Sequence, residues 1–142
     1  MSAKTDELER KLAEKKAKRD EQEDEQLEID LEARLSLTDD HATIAAVKVS
    51  RFVVGQPTFA LIRMPQAAEY KRYKDLTHRG VHAKNVKQVQ DAGDQLGRDC
   101  WIYPESDEAK AAMLEEFPGL ITPLSMAAAA LAEGRSEDEG KG

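Results

Sequence analysis

TIAAVKVSRFVVGQPTFALIRM, residues 43 to 64, is the stretch on which the fold turns. It is apolar and β-branched at both ends, and Gly55, Gln56 and Pro57 interrupt it with a turn signal. A β-hairpin is therefore predicted, with strands over 43–54 and 58–64, Gly55 taking positive φ and Pro57 fixing the exit from the turn. The alternative is a helix that starts at His41 with Asp40 as its N-cap.

Towards the C-terminus the pattern turns helical. Pro65 suits a first helical turn, and the helix it opens is expected to end at a Gly80 C-cap, with Ala68, Tyr70, Tyr73 and Leu76 on its apolar side. A second helix is expected over Ala83 to Leu96, with Val86 and Val89 inward and Gly97 at its end. The run CWIYP reads as a short buried strand, and Cys100 as a small core residue within it. Ser106 is placed to cap a helix carrying Ala109, Ala112, Met113 and Phe117 inward, which Pro118 and Gly119 end. An alanine-rich helix from about Thr122 to Ala132 follows, closed by Gly134.

Towards the N-terminus, Ser2 to Gln26 holds good helix formers with neither Gly nor Pro, and almost no apolar side chain to bury. Leu8 and Leu12 start a seam, but Lys15 and Arg19 occupy the places where it would continue, which argues against a coiled coil. The segment reads as a solvated helix or as an arm that orders against a partner. Leu27 to Leu37 alternates apolar and polar residues like a half-buried strand, while Leu27, Leu31 and Leu35 also recur at helical spacing; of the two we take the extended reading. The whole is an α+β chain: a mostly helical domain over 38–134 with a β-hairpin and one further short strand, a long charged helix or arm over 1–37, and a disordered acidic tail over 135–142.

With 142 residues, 35% of them charged and 5% aromatic, the chain can build one modest domain with a thin core. Residues 1–40 carry 8 basic and 14 acidic side chains, 41–104 carry 10 and 5, and 105–142 carry 3 and 9, so acidic ends flank a basic middle. The uncharged run Gly119 to Ala132 falls short of the roughly 20 apolar residues that a spanning helix needs, so no membrane association is expected. MSAKTDELERK has no apolar signal core, and the single Cys100 fits a reducing compartment.

Chemistry-bearing constellations are absent from the pattern. His78 and His82 stand four apart with Gly80 between them and no further ligand in reach, DAGDQLGRD lacks the Lys and Ser/Thr of a phosphate loop, and Glu115 and Glu116 project to different sides of one helix. No cofactor, metal or catalytic activity is expected. The basic middle, Arg63, Lys71, Arg72, Lys74, Arg79, Lys84 and Lys87 with Tyr70 and Tyr73 among them, resembles a nucleic-acid surface in composition. The acidity of the whole chain and the position of the tyrosines on an apolar helix side favour a solvated or protein-binding face instead.

The order of these features over residues 43–134 resembles the tail assembly chaperones of long-tailed bacteriophages. The similar pieces are the strand leading into Arg63, Pro65, Glu69 and Tyr70, the strand ending in Tyr103 and Pro104, and the Phe117, Pro118, Gly119 break before a small-residue helix. The arm over 1–37 lies outside that pattern. The resemblance implies a non-enzymatic protein of the infected host's cytoplasm that coats the tape-measure protein, recruits tail-tube subunits, and is absent from the finished tail; members often have a longer frameshifted product as well. Arg63 and Glu69 are then expected to be structural, Glu69 pairing with Arg72. Self-association and client binding are expected through Phe117, Leu120, Leu124 and Met126, because an alanine-rich helix on so small a domain would leave apolar surface uncovered. The alternative function is a structural component of a virion or other assembly, with residues 2–37 ordering on a neighbouring subunit.

Overall fold

The structure is a computed structural model that describes residues 2–135. The hairpin is present and antiparallel, but shorter than its apolar run: helix α1 (Ala3–Leu37) precedes β1 (Ile44–Lys48), which pairs with β2 (Phe59–Arg63) in the register Ala45 to Ile62. The ladder closes at Val49, whose N–H donates to the Thr58 carbonyl, because the Thr58 N–H is taken by Asp30 instead of by Val49. Residues 50–57 then form a wide loop with Gly55 at φ 84° and Phe52 turned inward to 6% exposure. The helix alternative from His41 is not adopted.

Residues 27–37 are helix, not strand, which corrects the extended reading. No Gly or Pro stands between Ala3 and Leu37, so a helix capped by the Ser2 side chain propagates until Thr38 and Asp39 end it. Helical phase puts Gln26, Asp30, Ala33 and Leu37 inward and leaves Ile29, Leu31 and Leu35 on the outside, 50–73% exposed. The second half of the segment read as an arm is therefore a layer of the domain.

After β2 come α2 (Ala67–His82), α3 (Val86–Cys100), β3 (Trp101–Tyr103), α4 (Asp107–Glu116) and α5 (Ile121–Ala132). Two glycines read as helix stops lie inside helices. Gly80 is buried in α2, where a Cβ would stand 2.7 Å from the Val89 side chain, and the turn falls later, at Lys84 with φ 55°. Gly97 lies in α3 against α5, where a Cβ would meet the Ser125 nitrogen at 3.0 Å and the Ile121 oxygen at 3.2 Å. Both allow helices to approach more closely than any side chain permits. Val86 was expected inward and is 69% exposed, since Ala92, Leu96, Gly97 and Cys100 form the inner side of α3. Ser106 caps α4 as expected, accepting from the Ala109 N–H.

The sheet order is β1-β2-β3, all antiparallel, with an irregularity between Leu61 and Ile62. One face, with Ala45, Ala60, Ile62 and Trp101, packs on Leu96, Cys100, Leu124, Ala127 and Leu131 from α3 and α5. The other face carries Phe59 and Leu61, 4% and 0% exposed, beneath α1, with the Tyr103 ring 6.2 Å from Phe59. The fold is a small α+β domain with a long N-terminal helix laid across its sheet. No helix among the described residues is long and apolar enough to cross a membrane. The tail expected over 135–142 lies, apart from Arg135, outside the described residues.

Candidate partner-binding site

Arg63, at the end of β2, and Glu69, in the first turn of α2, form a two-pronged ion pair at 2.8 and 2.9 Å. Glu69 does not pair with Arg72; its carboxylate also accepts the Gln66 N–H at 2.8 Å, closing a capping box at the start of α2. The second prong of Arg63 reaches the Asp99 carbonyl at the end of α3, at 2.8 Å. One guanidinium thus joins β2, α2 and α3, with Pro65 buried between them. The hydrogen bond from Arg63 holds the Glu69 carboxyl below its ordinary value and raises Arg63 in turn.

A group whose pKa is lowered by folding stabilises fully above its unfolded value, here 4.5, and loses that contribution as pH falls through the lower folded value. Glu69→Gln is expected to cost about 1–3 kcal/mol at pH 7. It is also expected to flatten the acid limb of stability below that value, measured by urea unfolding across pH.

Tyr103 and Pro104 belong to the other end of the sheet. Tyr103 hydroxyl donates to the buried Asp30, and its N-terminal neighbour but one, Trp101, donates its ring N–H to the Tyr103 carbonyl at 2.7 Å. Burial, then the Asp30 hydrogen bond, pushes the phenol well up. The Tyr103–Pro104 peptide is cis. Tyr70 donates to Glu133 at 3.1 Å and lies 5.9 Å from the Tyr73 ring. Lys71, Arg72, Lys74, Arg79, Lys84 and Lys87 are exposed, Lys74 with its ammonium 6.0 Å from the Tyr70 ring, while Arg63 is engaged elsewhere. Cys100 ends α3 with no exposure, and burial pushes its thiol up to about 11, which suits a core residue and not a nucleophile.

The four side chains expected to form one binding face do not share a surface. Leu124 is fully buried and Leu120 is 7% exposed, both in the main core, whereas Met126 points outward at 61%. The premise of an uncovered alanine-rich helix is corrected too: Ala127, Ala128 and Ala130 are at most 1% exposed, because β1, β2 and α3 close over α5. Small residues let these layers approach; they do not advertise a free face.

Phe117 and Leu120 do meet at an open groove of about 530 Å³, between Val47–Arg51 and the Pro118, Gly119 turn that leads to Pro123. The turn is held by the Leu120 N–H donating to the Phe117 carbonyl at 3.0 Å. Arg51 borders it, its guanidinium 5.1 Å over the Phe117 ring and 2.8 Å from the Glu116 carboxylate. Among the described residues β1 has a strand on one side only, so an unpaired edge runs up to the groove. An apolar floor, a charged rim and a free backbone edge together suit a peptide or helix of another protein. Sequence reasoning missed Arg51, Thr58 and Asp30. No family model, curated protein or solved structure matches the chain.

Proposed function

We propose that the chain is a non-enzymatic tail assembly chaperone of a long-tailed bacteriophage, acting in the host cytoplasm. It binds the helical tape-measure protein, recruits tail-tube subunits and associates with itself. The resemblance over residues 43–134 supplies the reading, and the observation that supports it best is the apolar groove at Phe117 and Leu120 beside the unpaired edge of β1. A client that lays an apolar helix face in that groove is shielded from aggregation while the acidic termini keep the complex dispersed. Phe117 and Leu120 contact the client; Leu124 belongs to the core and does not.

The second reading, a structural component whose N-terminal segment orders on a neighbour, is favoured by one observation: Leu8 and Leu12 stand 52% and 67% exposed at the free end of α1. Quantitative analysis of lysate and of purified mature particles separates the two. A chaperone is present during assembly and absent from finished particles. A fixed copy number in finished particles overturns the first reading in favour of the second.

A further inference from the structure

Leu8, Leu12, Lys15 and Arg19 continue, at steps of three and four residues, the same stripe of α1 that meets the domain through Gln22, Gln26 and Asp30. Arg19 makes the last of these contacts, donating to the Phe52 carbonyl. The residues before it, 3–18, extend the helix roughly 24 Å further at 1.5 Å per residue. The underside of this overhang carries two exposed leucines with Lys4, Lys11 and Lys15 around them, while its acidic side chains lie towards the back.

The outward face of the docked half of α1 is the complement. Glu28, Leu31 and Leu35 follow at steps of three and four residues on the side away from the sheet, while Asp24, one turn earlier, also lines an open pocket with Lys48, Arg51 and Phe52. Leu31 and Leu35, 50% and 73% exposed, repeat the spacing of Leu8 and Leu12. Glu28 has no ion-pair partner among the described residues. Setting Leu8 and Leu12 on Leu31 and Leu35 with the helices parallel brings Lys4 beside Glu28, and Lys15 and Lys16 beside Asp39 and Asp40.

Geometry selects the parallel arrangement. Reversing one helix would put its docked half over the partner's overhang, on the side where its own domain already sits. We propose that copies of this chain assemble head to tail, the basic, leucine-bearing underside of one α1 overhang seating on the acidic, leucine-bearing outward face of the next α1. Such an interface is heterologous: every pairing leaves one free face of each kind at the two ends, so the assembly grows into an open string. This rests on the self-association in the reading above and gives it a surface; it does not involve the client.

Sedimentation of the full chain without any client tests it. Wild type is expected to grow in size with concentration at low salt and to shrink towards monomer as salt screens the contact. Leu8→Glu with Leu12→Glu blocks one face, and Leu31→Gln with Leu35→Gln blocks the other without offering the new glutamates a cationic partner. All four side chains are exposed, so each double variant is expected to keep its helix content and to stay monomeric where wild type assembles. Mixed together they retain one matched pair of faces and are expected to stop at a 1:1 dimer. Wild type that remains monomeric at low salt, double variants that assemble like wild type, or a mixture that forms no dimer each overturns the proposal. Client capture by a chain that does not self-associate would refute this interface and leave the client-binding reading standing.

Discussion

Asp30→Ala is expected to lower the unfolding free energy by about 3–5 kcal/mol and to loosen α1 from the sheet. Asp30 is a fully buried acidic residue in the C-terminal part of a charged helix. One carboxylate oxygen accepts from the Thr58 N–H at 2.7 Å and the Thr58 hydroxyl at 2.6 Å; the other accepts from the Tyr103 hydroxyl and from Gln26 at 2.9 Å. Truncation leaves the Thr58 and Tyr103 donors in a dry place with nothing to receive them, beside Phe59 and Leu61. Asp30→Asn keeps one acceptor oxygen but turns an amide NH₂ on donors, so it is expected to recover only part of the loss. Urea unfolding gives the free energy. Hydrogen exchange over residues 22–37 shows whether α1 opens before the rest, and a loss under 1 kcal/mol with unchanged exchange would contradict the role given to Asp30.

Leu124→Ala is expected to cost about 2–5 kcal/mol, because it empties a fully buried site between the sheet, α3 and α5. Its outcome separates packing from binding. Phe117→Asp removes a half-buried ring from the groove rim and is expected to change stability far less, while abolishing client capture. Leu124→Ala, kept below its melting temperature, is expected to capture client as wild type does. Equal effects of the two substitutions on stability would place Phe117 in the core and not at the groove.

Much of the domain was legible because local signals and tertiary demands agree there. The Gly55 turn, the Ser106 cap and the aromatic strand at Trp101 each do in the fold what their residue types suggest. Misreadings cluster where one residue type serves two ends. Gly80 and Gly97 carry the signature of helix stops, yet they are points of close helix approach, and only the packed neighbours Val89 and Ser125 distinguish the two uses. Leu27 to Leu37 alternates like a strand, but its phase is inherited from 24 preceding helical residues, Ala3 to Gln26, that nothing interrupts. Once that phase is fixed, the seam that Lys15 and Arg19 seemed to break resumes as the docking stripe. Asp30 then becomes visible as a charge on the buried side.

The candidate site was half legible for a related reason. Phe117, Leu120, Leu124 and Met126 are alike in hydrophobicity, and periodicity along α5 cannot tell a residue facing its own sheet from one facing a groove. The Pro118, Gly119 break was the better guide, since an irregular turn places Phe117 and Leu120 at the surface edge of the core. Arg51 lies 65 residues before its partner Glu116, and no local pattern joins them.

Co-expression of the chain with the tape-measure protein of its own genome, followed by affinity capture, tests client binding most directly. The expected result is a soluble complex that Phe117→Asp abolishes while the variant keeps its fold. A tape-measure protein that stays insoluble and uncaptured beside the folded wild-type chain would contradict it.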